Sequence, residues 1–289
     1  MKPSPLLLER PRSLAEALAL LAEHGDDAKV LAGGQSLMPV VNFRLAAPTV
    51  LVDLGQVPAL ALIDRAGGML RVGAMTTQRD LELRADALAA CPLLALALPC
   101  VGHIATRNRG TVGGSIAHAD AAAELPLVLQ TLGGEVEVTG PAGARLVPAE
   151  EFFVSHLTSC LESGELVTEV RFPAGGPGWG AGFAEVAPRH GDYAVCALAC
   201  ALRVEDGVVA EARIGAGAVS DRPLRLAAAE RALAGTRCDA AALAAVAEEA
   251  RGAVDPSDGM HASAEYRRHL TGVLAGRSAQ RAYAMAVAG

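Results

Sequence analysis

Two glycine-bearing stretches, "LAGGQSLMP" at Leu31–Pro39 and "RGTVGGSIAHAD" at Arg109–Asp120, decide how this chain is read. Each sets a Gly-Gly pair beside small polar side chains. Glycine permits positive φ and carries no Cβ to hold a ligand away from the backbone. A strand running into Ala32-Gly33-Gly34-Gln35-Ser36 can therefore present successive amide N–H groups as an anion-binding nest, with Gln35 and Ser36 adding side-chain donors. Thr111-Val112-Gly113-Gly114-Ser115 offers the same arrangement with two hydroxyls. Neither stretch is the G-x-G-x-x-G of a nicotinamide-binding fold or a P-loop, and either alone is compatible with an ordinary turn.

The rest of the chain narrows the choice. It has 289 residues, is 52% hydrophobic and carries a net charge of −7. That length supports a large core or two domains. The acidic balance argues against a nucleic-acid partner, which needs a basic surface. No apolar run is long enough for a membrane span, and the N-terminus lacks a secretory pattern, so a cytoplasmic location is expected. The six cysteines show neither metal nor iron–sulfur spacing and are read as small hydrophobes; Cys196 and Cys200 fall in an apolar run expected to be a buried strand.

Ser13 with Glu16 is a capping-box pattern and predicts a helix over Leu14–His24, stopped by Gly25. Short strands are expected in 28–31, 49–54, 60–64 and 69–74, then a helix over 76–90 and another over 91–102, broken by Pro99. Residues 121–133 read as a helix ending at Gly133, and 134–140 and 165–173 as strands. The Gly/Pro-rich segment 173–182 is a candidate domain joint. Beyond it come three antiparallel strands, the last two joined by an Asp206-Gly207 hairpin turn, and then helices from 224, 239 and 262 onward. The expected class is α+β.

Taken together, two glycine nests suit a diphosphate with a polyhydroxyl tail better than a monophosphate, and FAD fits that description. Asp120 and Glu124 can accept hydrogen bonds from sugar-type hydroxyls.

"AGGQSLMPVVNFRLAAPTVLVDL" and "IATRNRGTVGGSIAHADAAAELP" resemble the two FAD-binding signatures of the medium subunit of molybdenum hydroxylases, the family of aerobic carbon monoxide dehydrogenase and xanthine dehydrogenase. "GWGAGFAEVAPRHGDYAVCALACAL" and "YRRHLTGVL" extend the likeness along almost the whole chain. The resemblance implies an FAD-binding domain of the vanillyl-alcohol-oxidase type over 1–174, made of two α+β subdomains (1–55 and 56–174). A C-terminal domain of three-stranded antiparallel sheet plus helices would follow over 175–289. It implies that Ala32, Gly33, Gly34, Gln35, Ser36 and Leu37 hold the FAD pyrophosphate region. Thr111, Val112, Gly113, Gly114 and Ser115 would approach from across the cleft, with Asp120 on a cofactor hydroxyl. Ile104 would lie against the flavin ring with Tyr193 close by, although both could also be core residues. His103 and His118 flank the second stretch and are expected to be solvent-facing or satisfied rather than catalytic. "ADAA" stands where the family often has "ADPA", which alters loop stiffness more than chemistry. The cysteine-bearing insert of the 4-hydroxybenzoyl-CoA reductase branch is missing.

By the same resemblance, a molybdenum cofactor and two [2Fe-2S] clusters belong to separate large and small partner subunits, in a dimer of heterotrimers. This chain would then pass electrons through FAD to an external acceptor, with no catalytic side chain or metal site of its own. A self-contained FAD oxidase or dehydrogenase of the vanillyl-alcohol-oxidase type, and a cofactor-free assembly module, are the competing readings.

Overall fold

The structure, a computed structural model, describes residues 2–288. Its first layer is a three-stranded parallel sheet in which Val50–Asp53 lies between Leu7–Glu9 and Ala28–Leu31. The helix Leu14–His24 carries the chain from one edge strand to the other, burying Ala17 and Leu21 against Val50 and Val52 of the strand between them. Ser13 caps this helix by accepting from the Glu16 N–H at 3.1 Å, as expected. The reciprocal bond differs, because the Glu16 carboxylate takes the Arg12 N–H at 2.8 Å.

A five-stranded antiparallel sheet follows, in the spatial order Ile63–Ala66, Met69–Gly73, Leu166–Pro173, Glu135–Gly140, Gly143–Pro148. Val72, Val136, Val138, Val170 and Phe172 point into the largest core, which the helices Pro92–Ala97 and Glu124–Leu132 close. The helix expected over 76–90 is in fact two, Gln78–Glu82 and Ala85–Ala90. Arg84 leaves helical geometry and clasps Asp86 at 3.0 and 2.8 Å, an i,i+2 pairing that does not meet on a helix. The strand Gly143–Pro148 and the small hairpin Phe153–Ser159 carry no signal singled out in the sequence.

The last layer contains Trp179–Val186, Cys196–Glu205 and Val208–Gly217, all antiparallel. Asp206 (φ 51°) and Gly207 (φ 74°) form the expected hairpin turn. Leu224–Arg225 adds a two-residue fourth strand beside Gly215–Ala216, so the helix expected from 224 begins at Ala227. Cys196 and Cys200 are fully buried. The helices Ala227–Leu233, Ala240–Gly252 and Ala264–Ala288 complete this layer. Among the described residues no helix is long and apolar enough to cross a membrane.

The segment 173–182 leads from the end of the strand Leu166–Pro173 into the next strand. The strand begins at Trp179, and Gly180 and Gly182 face the long helix: a Cβ on either would collide with the carbonyl oxygen of Ala282 or Ser278. These glycines let strand and helix backbones touch. Backbone atoms cannot swing aside, so we expect Gly182→Ala to lower stability by roughly 1–3 kcal/mol, the range for overpacking a core. Urea denaturation of the purified protein measures it.

Candidate functional site

The strand Ala28–Leu31 ends in the first glycine stretch, which turns into the short helix Leu37–Asn42. Gly34 has φ +73°, which favours glycine there. Among the described residues, the N–H groups of Gly33, Gly34, Gln35 and Ser36 donate to no acceptor of the chain. The Ser36 hydroxyl does not cap its helix, and the Gln35 side-chain amide donates to the Gly33 carbonyl at 3.3 Å.

The second stretch lies directly against the first. A Cβ on Gly33 would strike the Arg109 carbonyl oxygen and come within 2.8 Å of the Gly110 Cα, and one on Gly114 would sit 3.3 Å from the Ala32 Cβ. The two distant segments therefore share one backbone-to-backbone seam.

The second stretch is not a free nest, however. It is the start of a helix, Val112–His118, capped by Thr111. The Val112 N–H donates to the Thr76 carbonyl at 2.9 Å and the Gly113 N–H to the Ala74 carbonyl at 3.0 Å. The Gly114 N–H donates to Thr111 Oγ1 at 3.0 Å, and the Ser115 N–H to the Thr111 carbonyl at 3.1 Å. Gly113 is glycine because Ala74 fills the space a side chain would need, and the Val112 side chain is buried. The expectation of open amides holds for 33–36 and fails for 112–115, where the helix itself and the turn after the strand Met69–Gly73 have already taken them.

Two acidic groups follow the helix Val112–His118 in the chain. Asp120 is buried and accepts the Ala122 N–H at 2.8 Å. Glu124, at the first position of its helix, is buried. Burial first, then the charges of Glu185 and Asp120, push its carboxyl up to about 8, so it is protonated at neutral pH and can donate as well as accept. His118 is half-buried; burial holds its imidazole below the usual range, and His156 adds to this. His103 is exposed.

Ile104 is 54% exposed and Tyr193 65% exposed, so neither is a core residue. Ile104 begins the short helix Ile104–Arg107. Tyr193 comes from the last layer, and its phenol is raised by partial burial of its hydroxyl end and then by the charges of Asp120 and Glu124.

The sequence reading missed Gln78, Cys100, Arg107 and Glu185. Gln78 is buried, with its Oε1 unpartnered and close to Gly110. Glu185 Oε2 is likewise buried without a partner, and burial pushes this carboxyl up to about 7. The Cys100 thiol faces the Leu96 carbonyl at 3.9 Å; burial, with the charges of Glu185 and Glu124, pushes it up to about 12. No local pattern marks these residues, since each matters through a neighbour distant in sequence.

Residues 4–175 match the family model for the FAD binding domain in molybdopterin dehydrogenase, and residues 181–282 that for the CO dehydrogenase flavoprotein C-terminal domain. The chain belongs to the FAD-binding subunits of the molybdenum hydroxylases. It is 39% identical to the 6-hydroxypseudooxynicotine dehydrogenase complex subunit alpha of Paenarthrobacter nicotinovorans, over 98% of this chain and 96% of that one. It is 37% identical to the carbon monoxide dehydrogenase medium chain of Afipia carboxidovorans, over 99% of each. A crystal structure of the Cu,Mo-CO dehydrogenase in a cyanide-inactivated form contains a chain that superimposes with a TM-score of 0.96 at 36% identity, covering 99% of this chain and all of that one. This is an oxidoreductase subunit with an FAD-binding domain, and the free amides beside close-packed glycines are the feature such a cofactor fits.

Two outcomes follow from this geometry. Gly33→Ala must push the first stretch off Arg109, and we expect the purified variant to lose its flavin absorbance while the parent keeps it. For Glu124, the folded state binds the proton more tightly than the unfolded chain, whose carboxyl titrates near 4.5. Stability is therefore lost as pH rises from about 4.5 to about 8. Glu124→Gln should flatten that fall, as read from melting temperatures across the window.

Proposed function

We propose that this chain is the FAD-carrying subunit of a heterotrimeric molybdenum hydroxylase. Its partners are a large subunit with the molybdenum cofactor and a small subunit with two [2Fe-2S] clusters, in a dimer of heterotrimers within the cytoplasm. Electrons released at molybdenum pass through the clusters to this chain and leave to an external acceptor. The observation that carries the reading is the contact of Gly33 with Arg109–Gly110, which sets the four free amides of the first stretch against the second stretch.

FAD supplies the redox chemistry when bound. The chain's own residues bind and orient it. The amides of Gly33, Gly34, Gln35 and Ser36 take the pyrophosphate oxygens, with Ala32 and Leu37 framing the turn. Ser115 would meet the cofactor from the other side, while Thr111, Val112, Gly113 and Gly114 form the wall behind it, bonded to Thr76, Ala74 and each other. Asp120, which keeps one carboxylate oxygen beyond its bond to Ala122, accepts from a cofactor hydroxyl, and protonated Glu124 donates nearby. Ile104 and Tyr193 flank the ring. The division of labour follows the domains, 1–174 (subdomains 1–55 and 56–174) for the cofactor and 175–289 for presenting Tyr193.

The names of the relatives favour a subunit over a self-contained oxidase, because they are designated subunit alpha and medium chain. Those same names span 6-hydroxypseudooxynicotine and carbon monoxide, so this subunit does not select the substrate. Native purification should yield flavin absorbance, two co-purifying polypeptides, and molybdenum and iron by elemental analysis. The chain freed of them should keep its flavin but turn over no substrate. A lone chain with full turnover, or one devoid of flavin, would overturn the reading.

A further inference from the structure

The segment that carries Ile104 is held by a side chain with no role in the cofactor contacts above. Arg107 is buried, only 8% exposed. Its Nη1 donates to the carbonyls of Val101 at 3.0 Å and Gly102 at 3.3 Å. Its Nε and Nη2 donate to the two carboxylate oxygens of Glu82, each at 3.1 Å. Glu82 comes from the helix Gln78–Glu82 and is also gripped by Arg79 at 2.8 Å. Burial opposes the charge on Glu82, but the hydrogen bonds from Arg79 and Arg107 outweigh it and hold the carboxyl below its usual range.

Val101 and Gly102 turn the chain just before Ile104. Gly102 has φ +48°, with Thr106 side-chain atoms 3.2 Å from where its Cβ would be. Carbonyls turned inward need donors from within the protein. A guanidinium can serve two carbonyls from one nitrogen while its remaining fork closes on a carboxylate. A lysine ammonium has no such fork.

The same turn receives the last layer of the protein. Gly191 has φ +85°, and a Cβ there would lie 2.9 Å from both the Gly102 carbonyl oxygen and His103 Cε1. Two residues further on is Tyr193. The Gly102 carbonyl is thus fixed from inside by Arg107 and abutted from outside by the turn that carries Tyr193.

We propose that Arg107 is a positioning residue for the flavin-facing edge: through the Gly102 carbonyl it sets where Ile104 and Tyr193 stand relative to each other, and so shapes the surroundings of the ring. This rests on the reading that places the ring against those two side chains. Arg107 touches no reacting atom.

The test uses the whole complex as purified, with Arg107→Met, Arg107→Lys, Gly191→Ala and the control Arg79→Met. Arg79→Met removes the other cation of Glu82 without touching the turn. Arg107→Met and Gly191→Ala should both keep the flavin, change its visible circular dichroism, shift its reduction potential in the same direction, and slow flavin reduction about tenfold, as expected for a displaced reacting edge. Arg107→Lys should recover part of each change. Arg79→Met should lower the melting temperature yet leave spectrum and potential as in the parent. The proposal is overturned if Arg107→Met melts earlier but keeps the parent's spectrum and potential, or if Arg79→Met reproduces the spectral change. Should Arg107→Met fail to fold, parental spectra in both Arg107→Lys and Gly191→Ala overturn it equally. A parent complex without flavin sinks the functional reading as well, whereas a flavin-bearing parent with an unresponsive Arg107 sinks this inference alone.

Discussion

Everything in this molecule that bears on its function depends on two backbones touching where no side chain intervenes. Gly33 rests on the Arg109 carbonyl and the Gly110 Cα, and that contact joins the parallel sheet to the helical edge of the antiparallel one. The seam sets the first stretch, with its four free amides, against the second by van der Waals contact and not by flexible reach. A methyl group at either side would separate the two layers, because protein interiors have no slack to absorb it.

The two glycine stretches nevertheless solve different problems. In the first, glycine frees amides; in the second, glycine lets a helix lie against Ala74 and leaves its amides satisfied. Similar composition thus conceals a division between a donor-rich face and a supporting wall. Asp120 and Glu124 follow the second stretch in the chain, and both are buried.

Much of this was legible in the chain itself, because the signals are local. The cap at Ser13, the Asp206-Gly207 hairpin and the apolar runs around Cys196 each depend on residues a few positions apart. The glycine stretches were legible for the same reason. The break at Arg84 is local too, but the clasp on Asp86 that competes with the helix shows only in side-chain geometry. The other illegible features depended on distance: the capture of the Gly113 amide needs Ala74, in the turn after the strand Met69–Gly73. The strut from Arg107 to Glu82 spans 25 residues, and in sequence Arg107 is one of two arginines in an unremarkable polar run. Glu185 reads as an ordinary strand residue until the fold buries one of its oxygens.

The contact of Gly33 with Arg109 is made by protein atoms alone, and so is the left-handed turn at Gly34. A change at either glycine is therefore a change to the joint between two layers of the fold, and its cost falls on folding as well as on anything the turn holds.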